Sequence, residues 1–111
     1  MMLTGKIMQL RDITEQQIID IFLPFAPEKI ILFGSVARGE NDEFSDIDLI
    51  IVFKTQKRFM ARLRDLYMAW DLPRAVDILA YTPDEFVLML RESPFIQDAV
   101  AHGKMLHERS H

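Results

Sequence analysis

Two short apolar runs, Lys29–Phe33 (KIILF) and residues 46–53 (DIDLIIVF), limit what this chain can fold into more than any other feature. Each is too short for a stable helix, is rich in Ile, and reads as a buried strand. The second run breaks the pattern at its start, where Asp46 and Asp48 flank Ile47. Side chains alternate faces along a strand, so the two carboxylates point one way and Ile47 the other. Carboxylates held this close repel, and one gives up its charge unless a cation lies between them. All-oxygen ligands on a rigid strand suit a hard divalent ion, above all Mg2+, which keeps several waters and is completed by substrate phosphates. That chemistry leads to phosphoryl or nucleotidyl transfer.

The stretch between the two runs fits the same reading. Gly34 lets the backbone turn without a Cβ and lets a phosphate approach closely. Ser35 adds a hydroxyl and an N–H at the head of an expected helical turn over residues 35–38, where anions are favoured. Arg38 adds a fixed positive charge for phosphate contact or for loop structure, and Gly39 frees the next turn. The remainder of residues 34–45 is expected to be loop. Neither the Gly-x-x-x-x-Gly-Lys-Ser/Thr phosphate loop nor the Gly-x-Gly-x-x-Gly dinucleotide fingerprint is present. A third carboxylate, Asp77, stands alone in the apolar run RAVDILAYT. Buried and unpaired it would be costly. It is therefore expected beside Asp46 and Asp48, completing the cluster, binding a second metal, or taking a proton from an attacking hydroxyl. The plainer reading is an ion pair with Arg74.

The rest of the chain alternates helix and strand signals. Thr14 and Gln17 form a capping box ahead of apolar positions at helical spacing. Residues 56–70 read as an amphipathic helix with Phe59, Leu63, Leu66, Tyr67 and Trp70 on its core face. The basic residues Lys54, Lys57, Arg58, Arg62 and Arg64 are read as its solvated face, with a docking surface as the sharper alternative. Residues 74–81 form a third strand. Thr82-Pro83 and Ser93-Pro94 each open a helix, the second stopping at Gly103, and KMLHE is a last short strand. This order predicts an α/β or α+β domain with a small mixed sheet flanked by helices. A chain of 111 residues, half of them hydrophobic, fits one domain over residues 1–111, the first ten expected to be poorly ordered.

Composition removes several function classes. A formal net charge of −4 argues against gripping naked nucleic acid. The absence of cysteine leaves no disulfide framework and no thiolate chemistry. No apolar run reaches the ~18 residues of a membrane span, and the opening residues lack a secretory signal, so a cytoplasmic protein is expected. His102, His107 and His111 match no common zinc spacing and are read as solvated or structural.

Gly34-Ser35 followed ten residues later by Asp46-x-Asp48 resembles the signature of the DNA polymerase beta-type nucleotidyltransferase superfamily. The longer string FGSVARGENDEFSDIDLIIVF is similar in particular to the minimal nucleotidyltransferase (MNT) antitoxins. The resemblance implies a nucleotidyltransferase fold, with Gly34 and Ser35 holding the triphosphate of ATP. It also implies two Mg2+ ions on Asp46 and Asp48, Asp77 as the third carboxylate, and Arg38 as the loop arginine. Larger relatives carry an acceptor-binding helical domain, so a partner is expected to bring the acceptor here. For MNT proteins that partner is a HEPN-domain ribonuclease toxin, bound as a hetero-oligomer, which some members silence by AMP transfer to a tyrosine. Two other readings remain at this stage. One is a non-catalytic antitoxin that neutralises its partner by contact, and the other a transferase for a small-molecule acceptor.

Overall fold

In the computed structural model, residues 13–40 and 45–110 are described. The expectation of a poorly ordered start lies outside these residues. Helix α1 (Glu15–Phe22) opens with the expected capping box. Thr14 Oγ1 accepts the Gln17 N–H at 3.1 Å, and the Gln17 side chain accepts the Thr14 N–H at 2.8 Å. A single 3-10 turn, Leu23–Phe25, follows. Then come β1 (Lys29–Phe33), α2 (Gly34–Arg38), β2 (Ile47–Val52), α3 (Phe59–Ala69) and β3 (Val76–Tyr81). The chain continues through α4 (Pro83–Glu92), α5 (Pro94–His102) and β4 (Lys104–Glu108).

The four strands form one mixed sheet in the order β3-β2-β1-β4. Strand β1 runs antiparallel to β2 and β4, whereas β2 and β3 are parallel and joined by the α3 crossover. This is the α+β architecture expected from the sequence. Alternation divides the sheet's side chains between two cores. Leu32, Leu49, Ile51, Ile78 and Ala80 pack with Ile18 and Phe22 of α1 and Leu66 of α3. On the other face, Ile31, Phe33, Ile50 and Val52 pack under Phe86 of α4 and Ile96 and Ala99 of α5. Among the described residues no helix is long and apolar enough to cross a membrane.

Helix α3 corrects the sequence reading. Leu66 is fully buried, and Leu63 and Trp70 pack against the core, but Phe59 and Tyr67 are 42% and 40% exposed. Tyr67 lies along β3 instead, where its hydroxyl accepts the Ile78 N–H at 2.8 Å and so caps a strand edge. Arg62, read as part of a solvated face, is buried. Its guanidinium forks onto Glu85 at 2.6 and 3.2 Å and donates to the carbonyls of Ala80 at 3.3 Å and Lys57 at 3.0 Å. A face count along the helix could not reveal this, because the partner carboxylate belongs to α4.

Ser93 ends α4 and begins α5, accepting the Ile96 N–H on its hydroxyl at 3.2 Å. At the far end of α5, a Cβ on Gly103 would lie 2.7 Å from the Leu32 carbonyl oxygen. Glycine there lets the end of α5 rest directly on β1, which fixes the helix beside the N-terminal end of β2.

Candidate active site

Strand β1 ends at Phe33, and the chain turns into α2 through Gly34 with φ +76°. A Cβ at this position would stand 2.2 Å from Asp48 Oδ2. Backbone conformation and contact therefore both demand glycine: the Asp48 carboxylate occupies the place a side chain would take. Across the sheet, Asp48 is the register partner of Phe33 on one side and of Asp77 on the other. The parallel pairing of β2 and β3 puts the two carboxylates side by side on the face that α4 and α5 cover further along the strands. Asp46, one residue before β2, belongs to the same face by alternation.

Their environments differ. Asp48 is half-buried, while Asp46 and Asp77 are exposed. Burial, then the Asp77 charge, then the Asp46 charge raise the Asp48 carboxyl above its ordinary value. The three aspartates are thus close enough to repel, as expected. Asp77 is not the buried carboxylate that its apolar neighbours suggested. It stands on an edge strand, open to solvent. Arg74, the alternative partner, donates its Nε to the Ser45 carbonyl at 2.8 Å.

A cleft of about 430 Å3 opens over this row. Gly34, Arg38, Asp48 and Asp77 form one wall, and Phe95, Asp98 and His102 of α5 form the other. Ser35 and Asp46 are not among the lining residues. Arg38 Nη2 donates to Asp98 Oδ2 at 3.3 Å, and His102 Nδ1 lies 3.1 Å from Asp98 Oδ1. Phe95 is 61% exposed and meets Phe33 edge-on at 5.9 Å between ring centroids. The helical wall was missed in the sequence, and His102 was assigned no part in a site. Its signal was the spacing of Phe95, Asp98 and His102 on one face of an amphipathic helix, legible only once α5 is known to lie over the sheet's end.

Mg2+, which the fold family implies, can be tested against these residues. The donor set is all oxygen, and Asp48 is crowded by like charge that a cation would relieve. Among the described residues no group of three His, Cys, Asp or Glu side chains is gathered closely enough to hold a metal ion by itself. An open site of this kind matches a cation whose coordination is finished by water and phosphate. The residues fit the ion.

An antiparallel hairpin whose glycine turn cradles one strand aspartate, with a parallel third strand adding another, is the architecture of nucleotidyltransferases. The chain belongs to that class: residues 16–111 match the family described as polymerase beta, nucleotidyltransferase. Within it the chain is similar to proteins named as protein adenylyltransferases. One from Methanocaldococcus jannaschii is 35% identical over 68 residues, 60% of this chain and 73% of that protein. MntA of Haemophilus influenzae is 36% identical over 64 residues, 54% of this chain and 56% of MntA. The match thus spans little more than half of MntA. Among solved structures, a toxin–antitoxin with AMP-PNP superposes with a TM-score of 0.63 at 27% identity, covering 88% of this chain and 76% of that one. A nucleotidyltransferase of Sulfolobus solfataricus shares the fold, with a TM-score of 0.58 at 22% identity over 86% and 77% of the two chains.

Proposed function

We propose that this chain is the antitoxin of a toxin–antitoxin pair and transfers AMP from ATP to a tyrosine hydroxyl of a HEPN-domain ribonuclease toxin. The observation that carries the reading is the Asp48 carboxylate seated in the Cβ-free space of Gly34 and paired in register with Asp77. A fold alone has no use for carboxylates that repel one another beside a glycine turn. The adenylyltransferase names of its relatives and the AMP-PNP bound by a structural neighbour support the choice of ATP.

The residues divide the work. Gly34 and Ser35 hold the triphosphate against the backbone, and Arg38 meets its negative charge. Asp46 and Asp48, joined by Asp77, would hold two Mg2+ ions, which would supply charge neutralisation at the reacting phosphates. The toxin's hydroxyl oxygen attacks the α-phosphorus in line. As that P–O bond forms, the bond to the bridging oxygen of the β-phosphate breaks and pyrophosphate leaves. Asp77, on the open edge of the sheet, faces the incoming acceptor and receives its proton. The acceptor arrives on the partner.

The test is to incubate the chain with ATP, Mg2+ and the HEPN partner and to weigh the partner. A gain of one adenylyl group, located on a tyrosine and accompanied by loss of ribonuclease activity, is expected. Ribonuclease inhibition with no gain in mass would instead mean neutralisation by contact alone.

A further inference from the structure

The α5 wall of the cleft has no role in the reading given so far, yet it pairs with Arg38, the one arginine among the described residues that line the cleft. Arg38 sits at the end of the five-residue helix α2, on a long flexible side chain. Among the described residues its ion pair is with Asp98. That carboxylate is itself gripped at its other oxygen by His102, whose Nδ1 lies 3.1 Å from Oδ1 and 3.3 Å from the Asp98 backbone carbonyl. A carboxylate held at both oxygens cannot turn without breaking a contact. The chain His102–Asp98–Arg38 therefore sets where the guanidinium points.

Stability does not explain the chain. The Arg38 and Asp98 side chains are 43% and 56% exposed, and pairs this open contribute almost nothing to folding. The contact is also single and long, so it occupies one N–H of the fork and leaves the others free. Asp48 and Asp77 line the same cleft. A polyphosphate entering the cleft meets the Asp48 and Asp77 carboxylates and, on the same wall, an arginine braced from α5.

We propose that Asp98, steadied by His102, is a positioning residue that aims Arg38 at the β- and γ-phosphates of the bound nucleoside triphosphate. The proposal rests on the reading of the cleft as a nucleotide site. Its consequence is selective: Asp98 affects ligands that carry those two phosphates and leaves others alone.

Calorimetric titration of the wild-type chain and variants with Mg-ATP and with Mg-AMP tests it. Asp98→Ala is expected to weaken Mg-ATP about tenfold, the worth of one charge-assisted contact, and to leave Mg-AMP within about twofold. Asp98→Asn, which keeps an acceptor oxygen, should recover part of the loss, and the melting temperature should not move. In a double-mutant cycle, Asp98→Ala should add nothing once Arg38 is alanine. The proposal is overturned if Asp98→Ala binds Mg-ATP as wild type does, if it weakens AMP as much as ATP, or if its effect adds in full to that of Arg38→Ala. Wild-type protein that binds no Mg-ATP would instead overturn the nucleotide reading itself, and this proposal with it.

Discussion

The two ends of the parallel pair β2 and β3 treat charge in opposite ways. At the carboxyl ends, Arg62 is buried and matched: it forks onto Glu85 and donates to two backbone carbonyls. Glu85 in turn closes the α4 capping box with Thr82, and the hydrogen bonds from Arg62 and from the Thr82 backbone hold its carboxyl below the ordinary range. At the amino ends, like charges are gathered instead, and Asp48 is raised by burial and by its neighbours. The same sheet thus carries a charge pair that completes the fold and a cluster of like charges that the fold does not need. Unbalanced charge on a rigid frame is a mark of function, because folding alone would have removed it.

The sharpest way to break this comparison is at Asp48. Asp48→Asn removes a ligand but leaves the packing, so adenylyl transfer to the partner should fall at least about a hundredfold, the effect of losing several kcal/mol in the transition state. Far-ultraviolet circular dichroism should be unchanged. Transfer within twofold of wild type would place the unbalanced end among structural features. Asp77→Asn should come next in size: a steep loss of transfer with a modest loss of nucleotide affinity, read by single-turnover kinetics beside calorimetry. Because Asp77 is exposed, its melting temperature should stay put, and a clear drop would point to a structural ion pair.

The matched end should answer in the other currency. Arg62→Ala leaves two carbonyls and part of Glu85 without their donor, and should cost about 2–3 kcal/mol, less than a fully buried pair since Glu85 is 45% exposed. Melting should drop by several degrees, while the folded variant binds Mg-ATP within about twofold of wild type. Loss of nucleotide binding without loss of stability would erase the contrast between the ends.

The smallest effect is a pH slope. The folded protein holds the Asp48 proton more tightly than the unfolded chain does. Below the ordinary value of 3.8 the carboxyl is neutral in both states and carries no penalty. As pH rises from there through the raised folded value, the folded state must release the more tightly held proton, so stability falls, and the full penalty persists above. Urea unfolding of metal-free protein should therefore show wild type losing stability relative to Asp48→Asn across that interval. Added Mg2+ should flatten the difference. A gap between the two that does not change with pH would remove charge crowding from the account.

Much of this was open to reading in the sequence, and the exceptions share a cause. Capping boxes, proline starts and the Ile-rich runs are local signals, and β1 and the helix starts at Thr14, Thr82 and Ser93 were legible from them. The spacing from Gly34-Ser35 to Asp46-x-Asp48 was legible, but that the Asp48 carboxylate fills the Cβ space of Gly34 shows only in the fold. Asp77 was placed correctly beside Asp48 but wrongly buried, because VDILAY has the composition of an inner strand and nothing local says that β3 lies at an edge. Arg62 and the Asp98–His102 wall were hidden for the same reason: each takes its meaning from an element elsewhere in the chain. Phe59 and Tyr67 had the right periodicity, yet both stay well exposed, Tyr67 lying along the edge strand β3.

The pairing of Asp48 with Asp77 through a parallel ladder has one more consequence. Antiparallel neighbours can meet early through a hairpin, but parallel strands come into register only after the intervening crossover has docked. The site therefore exists only where that long-range pairing is in place, and a chain in which β3 has not docked owns the aspartates without owning the site. A one-residue slip of β3 would turn Asp77 to the opposite face and abolish it just as surely. Enzymatic competence is in this sense a readout of completed topology: the chain cannot begin to modify its target before it has finished becoming itself.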